Sequence, residues 1–255
     1  MRTTIITPKS FHRGKDNAKL KQLEEKTGRK LYTFSLASGW SCPMAKDCHS
    51  KAVVQQDGRR KIVDGKQTQF RCFSATQEAR LSVVWNDRWQ NFNALRGLSE
   101  QQTTKQLHEA FPTDAGIVRV HIGGDFFSPI YFRSWLHVAS LHPQTWVYAY
   151  TKSLPYWLDN LSYISKIPNL VLTASYGGRC DHLIAEHGLR YSKVVFSKSE
   201  ARKLRLPIDH DDSHAADPKR RNKSFALLLH GVQPKGSEAS EALKALKGEG
   251  SYSRS

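Results

Sequence analysis

The sequence predicts an α/β protein: a single domain built on a mostly parallel sheet of about six strands with flanking helices. From residue 117 onward, short apolar segments and longer amphipathic segments follow one another in regular succession. Parallel strands need crossover connections, which helices usually supply, so this alternation indicates a parallel sheet. The 255 residues suffice for one large core. Six strands favour an open sheet or a partial barrel over a complete eight-stranded barrel.

Local patterns place the individual elements. Apolar or alternating segments that end in turn residues predict strands, at residues 31–36, 117–122, 145–150, 170–175, 193–197 and 225–230. Helical periodicity and capping residues predict helices, at residues 16–28, 74–98, 99–111, 129–141, 155–164, 181–187, 198–205 and 237–246.

The remaining segments are polar. Residues 55–68 are expected to form a hairpin or another excursion from the sheet, and residues 210–222 a polar loop between the last two strands. The folded domain is expected to span residues 1–247. The small, polar tail 248–255 is expected to be disordered.

Lysine and arginine greatly outnumber the acidic residues. There are 39 basic against 23 acidic residues, which gives a formal net charge of +16. Such an excess attracts polyanions, because nucleic acid releases counterions when a basic surface binds it. The basic residues are densest at residues 9–30 and 219–223. We therefore expect nucleic acid to bind through a basic surface; two merely solvated faces are the alternative.

Nothing in the sequence predicts a membrane partner. The longest apolar runs, residues 170–174 and 225–229, are far too short to cross a bilayer. The first seven residues lack the apolar stretch and the small-residue cleavage site of a secretory signal. The expected location is therefore the cytoplasm.

Four cysteines carry the strongest chemical signal. Cys42 and Cys48 lie in the loop after the first predicted strand, Cys72 precedes the second predicted helix, and Cys180 follows the fourth predicted strand. In a parallel sheet, Cys42, Cys48 and Cys180 lie beyond carboxyl ends of strands, where such sheets hold their sites. The polar excursion would then bring Cys72 toward them. Disulfides are rare in cytosolic proteins, so we expect a metal centre instead.

The spacing of the cysteines does not identify the metal. Four converging thiolates fit either tetrahedral zinc or an iron–sulfur cluster. Inert buried thiols are the alternative, since free cysteine is among the most buried residue types. All four cysteines lie among Gly, Ser, Lys or Arg rather than inside an apolar strand, which favours the metal. A C-x-x-C pair, a radical-SAM triplet and a ferredoxin spacing are all missing.

Six other polar residues lie at or just past predicted carboxyl ends of strands. They are His121, Asp125, Tyr150, Lys152, Arg179 and His230. Because these ends share one edge of a parallel sheet, we expect one pocket there, beside the cysteines.

The residue types suggest separate roles in that pocket. We expect His121, Asp125 and Lys152 to be catalytic. We expect Tyr150, Arg179 and His230 to bind the ligand. Lys152, Arg179 and the helix start after Gly231 favour a small anion such as a phosphate or a carboxylate.

Simpler explanations exist for several of these residues. Asp125 or Ser128 could cap the helix 129–141, and the Ser128-Pro129 pair is the better cap because proline favours the first helical position. Lys152 and Arg179 could simply be solvated. His214 and Asp217 are further candidates, better explained as parts of a solvated loop.

Several motifs resemble the bacteriophage gene product eighty-eight family. The motifs that carry the resemblance are Ser41-Cys42-Pro43 with Cys48, Val118-Arg119-Val120-His121, Gly124-Asp125-Phe126-Phe127-Ser128 with Tyr131 and Trp135, and Tyr148-Ala149-Tyr150-Thr151-Lys152. The resemblance extends from about residue 31 to residue 237 and is firmest between residues 118 and 152. It implies a phage origin, hence the cytoplasm of an infected host. It also implies a cysteine-bound metal and a fold similar to a partial barrel of the radical-SAM kind.

The C-terminal region departs from the family pattern. Family members can carry extra cysteines there, whereas this chain offers only His214 and His230. The departure leaves Cys180 as the natural fourth metal ligand. The resemblance implies no particular reaction.

Two hypotheses about function follow. The leading one is an iron–sulfur protein with a 4Fe-4S cluster and redox or radical-type activity on an unidentified substrate. The alternative is a zinc-stabilised nucleic-acid-binding protein without catalysis. A metal-dependent nuclease is disfavoured, because the sequence lacks a clustered Asp/Glu set.

Overall fold

The computed structural model describes residues 7–8 and 11–246 and contains nine strands in that part of the chain. They are β1 (His12–Arg13), β2 (Leu31–Phe34), β3 (Ser50–Val54), β4 (Arg60–Asp64), β5 (Ile117–Val120), β6 (Trp146–Thr151), β7 (Leu170–Ser175), β8 (Tyr191–Val195) and β9 (Phe225–Leu228). Seven of them form the main sheet in the order β1-β2-β5-β6-β7-β8-β9, and β3 pairs with β4 in a separate hairpin.

The main sheet is almost entirely parallel. Strand β2 and strands β5 to β9 are parallel and lie side by side in chain order, while β1 joins the edge antiparallel to β2. This confirms the predicted α/β class and the six parallel strands; β1 was not predicted. The chain order of the strands is that of a partial barrel, but the described sheet is open, with β1 and β9 at its edges.

Eleven α-helices lie in the described part of the chain. They are α1 (Ala18–Thr27), α2 (Phe73–Arg80), α3 (Ser82–Leu95), α4 (Glu100–Ala110), α5 (Pro129–Leu141), α6 (Leu154–Leu158), α7 (Leu161–Ile164), α8 (His182–Glu186), α9 (Lys198–Lys203), α10 (Ser213–Ala216) and α11 (Glu238–Ala245). Helix α1 ends at Gly28 in the left-handed conformation, a position that favours glycine. Helix α4 begins with a capping box between Ser99 and Gln102. None of the described helices is long and apolar enough to cross a membrane.

The prediction of one long helix over residues 74–98 is wrong. The chain is extended at Leu81 (φ −116°, ψ 107°), which separates α2 from α3. The turn lets the guanidinium of Arg88 in α3 reach back to α2, where it donates to Glu78 Oε1 at 3.0 Å and to the hydroxyl of Ser74 at 2.5 Å. A buried charge needs such partners, and a straight helix would separate them.

Other boundaries also differ from the sequence predictions. The helix predicted at 155–164 is two short helices, α6 and α7, and the polar loop 210–222 contains α10. The predicted excursion is indeed a hairpin, although it starts at Ser50 rather than in the polar segment. The tail 248–255 lies outside the described residues.

The two faces of the sheet differ, because successive residues of a strand point to opposite sides. One face packs against α3, α4 and α5 through residues that include Phe34, Val118, Val120, Phe132, Trp135, Val147 and Leu172. The other face packs against α1 and α10 through Leu20, Leu23, Leu31, Ile117, Tyr148, Val171, Ala215, Ala216 and Phe225. This second face also carries polar side chains near the carboxyl ends of the strands, and the candidate site lies there.

Candidate functional site

A cavity opens at the carboxyl ends of the parallel strands. Its empty volume is about 1110 Å³ with the mouth included, which is sufficient for a small molecule. Of the ten site residues predicted from the sequence, eight line it: Cys42, Cys48, Cys72, His121, Asp125, Tyr150, Lys152 and His230. The sheet therefore brings most of the predicted site to one place, as carboxyl ends of parallel strands do.

Three cysteines occupy one part of the cavity wall. Burial raises the pKa of the Cys42 thiol well above its usual value, and the nearby Asp125, Cys72 and Cys48 raise it further. Burial also raises the pKa of Cys72 to about 12, and the neighbouring Cys48 adds to the effect. The three thiols are thus close enough to influence one another.

Backbone N–H groups affect two of these thiols. The N–H of Gly39 donates to Cys42 Sγ at 3.3 Å. Cys72 directly precedes α2, and the first N–H groups of that helix, those of Ser74 and Ala75, lower the pKa of its thiol. Such groups favour the thiolate form. In residues 7–8 and 11–246, however, no group of three or more His, Cys, Asp or Glu side chains is arranged to hold a metal ion.

Cys180 and Arg179 lie in the loop after β7, next to the cysteine loop but outside the described cavity lining. The N–H groups of Lys46 and Asp47 donate to the carbonyl of Gly177 at 3.0 and 2.9 Å, and the N–H of Arg179 donates to Met44 O at 2.9 Å. Arg179 itself is exposed. Both the ligand role of Arg179 and the metal role of Cys180 stay predictions.

Asp125 joins the ends of two strands. Its carboxylate accepts hydrogen bonds from the hydroxyl of Thr151 at 2.7 Å, from the N–H of Lys152 at 2.8 Å and from the N–H of Phe126 at 2.8 Å. Burial raises the pKa of Asp125, and these three donors oppose the rise. The cap of α5 is instead Ser128, as predicted, whose hydroxyl accepts from the N–H of Tyr131. Asp125 therefore fixes the backbone that carries Lys152.

Lys152 is a buried cation that faces the cavity. Within the described residues its ammonium donates one hydrogen bond, to Ser175 Oγ at 2.6 Å, and forms no ion pair with a carboxylate. An ammonium has three donors, and an unpaired buried charge is costly. The arrangement therefore suits an anionic ligand.

His121 ends β5 in the left-handed region (φ 73°), which is unusual for a residue other than glycine. The side chain is 4% exposed, and its Nε2 shares a hydrogen bond with the hydroxyl of Tyr131 at 2.9 Å. Among the described residues its Nδ1 has no hydrogen-bond partner. Burial, with a smaller effect of Arg119, lowers the pKa of His121 to about 3. The imidazole is therefore neutral at physiological pH and offers one open nitrogen.

The floor of the cavity is a buried charge network centred on Asp212. Its carboxylate binds Lys19 Nζ at 2.9 Å and Arg119 Nη1 at 2.6 Å, and it accepts from the hydroxyls of Tyr148 at 2.8 Å and Tyr150 at 3.2 Å. Burial raises the pKa of Asp212, but Arg119 and Lys19 outweigh that effect and hold it well below its usual range. The network places Tyr150 at the cavity.

Sequence reasoning missed most of this floor. Lys19 was counted only as part of a basic segment, and Asp212 only as part of a polar loop. His214, a minor candidate, binds Asp209 at 3.2 Å beside this network. The available signal was Arg119, a charged residue inside the apolar strand Ile117–Val120, since a cation buried in a sheet needs a carboxylate partner.

These features define an α/β protein with a cysteine-lined cavity at the carboxyl ends of its parallel sheet. The chain belongs to the gene product 88 family, whose model matches residues 10–247. The match confirms the resemblance seen in the sequence motifs and supports a bacteriophage origin. Comparison with curated proteins and with solved structures found no match.

Replacement of Asp125 by Asn should lower the free energy of unfolding by about 2 kcal/mol, because an amide nitrogen cannot accept the bond that the N–H of Lys152 donates. Urea unfolding measures the loss. Ser128→Ala serves as the control, because it removes only a helix cap and should cost about 1 kcal/mol. An Asp125→Asn protein as stable as the wild type would contradict the proposed bridge between the strands.

His121 should make stability depend on pH. Its folded-state pKa of about 3 lies below the ordinary 6.5. On acidification the unfolded state therefore binds the proton first, and the stability present above pH 6.5 is lost as pH falls. Between about pH 7 and about pH 5 the loss should be about 2 kcal/mol. His121→Asn, which tolerates a positive φ, should remove this part of the pH dependence in urea unfolding.

The exposed His210 provides the matched control. His210→Asn should leave the pH dependence as it is in the wild type. If His121→Asn and His210→Asn have the same pH dependence of unfolding, His121 is not buried in its neutral form.

Proposed function

We propose that the chain is an iron–sulfur protein that holds a 4Fe-4S cluster on Cys42, Cys48 and Cys72. We further propose that it carries out redox or radical-type chemistry on a small anionic molecule in the adjacent cavity. The observation that carries the proposal is that three cysteines, from the loop after β2 and from the residue before α2, line one cavity, and that Cys48 and Cys72 both raise the pKa of Cys42.

The donor set fits such a cluster. Thiolates are the usual ligands of iron–sulfur centres, and hydrogen bonds to the sulfurs tune their potential. The N–H of Gly39 supplies such a bond to Cys42, and the N–H groups of Ser74 and Ala75 at the start of α2 lower the pKa of Cys72. When bound, a cluster of this kind supplies one-electron transfer. The surrounding residues bind and orient the ligand.

The zinc alternative requires a closed site. Structural zinc takes four protein ligands, so Cys180 would have to turn toward the other three cysteines. A cluster would instead be held by Cys42, Cys48 and Cys72 alone, and Cys180 would not need to move. The described lining contains three of the four cysteines, which favours the second arrangement.

Lys152 and His121 support an anionic ligand. The Lys152 ammonium has two donors left after its bond to Ser175 within the described residues. His121 adds one open ring nitrogen. Together they present a cation and a neutral imidazole on the same cavity, beside the cysteines.

Metal analysis of anaerobically purified protein tests the cluster. The wild type should contain about four irons and four sulfides per chain and little zinc. Cys42→Ser, Cys48→Ser and Cys72→Ser should each lose most of the iron and lower the melting temperature, since metal binding contributes to folding.

Cys180→Ser is the matched variant, because it removes the one cysteine outside the described cavity lining. Full iron in this variant would show that three thiols suffice, whereas lost iron would establish Cys180 as the fourth ligand. Stoichiometric zinc without iron would favour the zinc alternative. Retention of metal by all four variants would contradict a cysteine-bound centre altogether.

Lys152→Met should abolish anion binding while leaving iron content unchanged, because it removes the charge and keeps the length of the side chain. In the wild type, inorganic phosphate at about a hundred times its dissociation constant should stabilise the fold by about 2.7 kcal/mol. A thermal melt with and without phosphate measures this effect. Arg179→Met is the control and tests the ligand role predicted for that residue. Equal phosphate stabilisation of the wild type and Lys152→Met would contradict the assignment.

A further inference from the structure

Four aromatic rings form a continuous strip outside the cavity. This aromatic strip consists of Trp40, from the cysteine loop, and Trp85, Trp89 and Phe92, from α3. The ring centres of Trp40 and Trp89 are 5.5 Å apart, those of Trp85 and Trp89 5.6 Å, and those of Trp89 and Phe92 5.9 Å. Trp40 is 41% exposed, and the two tryptophans of α3 are partly exposed.

A cation lies against three of the four rings. Lys51 Nζ is 4.3 Å from the ring centre of Trp40, and the Arg60 guanidinium is 5.9 Å from that of Trp85. The Arg96 guanidinium is 5.6 Å from the ring centre of Phe92. Trp40, Trp85 and Phe92, the three rings around Trp89, thus each have a positive charge beside them.

The β3–β4 hairpin and α2 hold this arrangement in place. The indole N–H of Trp40 donates to the carbonyl of Ala52 in β3 at 3.3 Å. Arg60 in β4 donates through Nε to the carbonyl of Glu78 in α2 at 2.9 Å. These two hydrogen bonds therefore fix the positions of the Trp40 ring and of the Arg60 cation.

The chain segment that carries three of the four rings is basic. Between residues 51 and 96 the chain has nine Lys and Arg residues against four Asp and Glu residues. Glu78 and Asp87 are buried, and Asp64 pairs with Arg71 at 2.5 Å. Asp57 is thus the remaining acidic group of this segment, and the exposed charge is mainly positive.

We propose that the aromatic strip binds single-stranded nucleic acid. Bases stack on aromatic side chains regardless of sequence, and nearby cations attract the phosphates. A duplex hides the faces of its bases, so a surface that binds by stacking, as the exposed Trp40 would, favours single strands. The charge of this surface is complementary to a polyanion.

The basic segments noted in the sequence fit this role less well. Arg221 donates to the carbonyls of Pro168 and Pro218, and Arg220 donates to the hydroxyl of Ser213. In the N-terminal segment, Lys26 pairs with Asp211 and Lys30 with Asp114. These cations are engaged within the fold away from any group of stacked aromatic rings, whereas Lys51, Arg60 and Arg96 each lie against a ring of the aromatic strip.

Fluorescence anisotropy with labelled oligo(dT) and oligo(U) of about 20 nucleotides tests the proposal. The iron-loaded wild type should bind both, and its affinity should fall steeply between about 50 and about 300 mM salt. Trp40→Ala should weaken binding about tenfold through lost stacking, and Trp40→Phe should restore most of it. Lys51→Gln and Arg96→Gln should each lower the salt slope by about 0.7.

Arg29→Gln is the matched control. The Arg29 guanidinium is 4.6 Å from the ring centre of Trp146, which is a cation–π contact like those of the aromatic strip but lies outside it. It should leave both affinity and salt slope unchanged. A variant in which Arg220, Arg221 and Lys223 are all replaced by Gln should likewise retain binding. If the salt dependence of binding is lost in this variant alone, the nucleic-acid surface lies at these residues and the proposal is wrong.

Three further outcomes overturn the proposal: no binding in dilute buffer, equal affinity for a duplex of the same length, or unchanged affinity in both Trp40→Ala and Lys51→Gln. Iron analysis of each variant separates this proposal from the cluster. Loss of nucleic-acid binding with full iron concerns the aromatic strip alone. Nucleic-acid binding by a wild type that contains no iron would refute the cluster alone.

Discussion

Two cations, Lys19 and Arg119, are buried beneath the parallel sheet of this protein, and the carboxylate of Asp212 binds both of them. Buried charges are tolerated only when they are paired and hydrogen-bonded. The partners come from α1, from β5 and from the turn before α10, so a single carboxylate ties three distant parts of the chain together. Because these charges are satisfied within the floor, Lys152 is left as the cation available to a cavity ligand in the described residues.

The predictable part of the site was the part that the backbone alone determines. Once strands alternate with helices, their carboxyl ends must share one edge, and Asp125 and Lys152 had to lie there. Asp212 could not be placed this way, because its partners are 93 and 193 residues away in sequence. Its loop consists of polar residues that also suit a solvated surface. Pairing between side chains so far apart in sequence depends on tertiary packing, and such packing produces no periodic pattern in the local sequence.

The break between α2 and α3 has the same origin. Helical periodicity continues across Leu81, so local pattern favoured one long helix. The contacts of Glu78 favour a break instead. Its carboxylate accepts hydrogen bonds from the N–H of Ser38 at 2.9 Å, from the hydroxyl of Ser38 at 2.6 Å and from Arg88 at 3.0 Å. This buried group joins the cysteine loop, α2 and α3 at one point. The resulting corner also brings Trp89 of α3 against Trp40 of the cysteine loop.

The cysteine wall and the aromatic strip share one covalent segment. Cys48 and Cys72 flank the β3–β4 hairpin, with twenty-three residues between them, and that hairpin supplies Lys51 and Arg60 to the aromatic strip. A metal centre bound by both cysteines would close this segment into a loop and lower the entropy of its unfolded forms. Besides α2, the hairpin contacts Trp40 and Trp85 through Lys51 and Arg60, so such closure would also help to hold these contacts in place. Metal binding at the cavity would therefore be coupled through the backbone to the geometry of the aromatic strip.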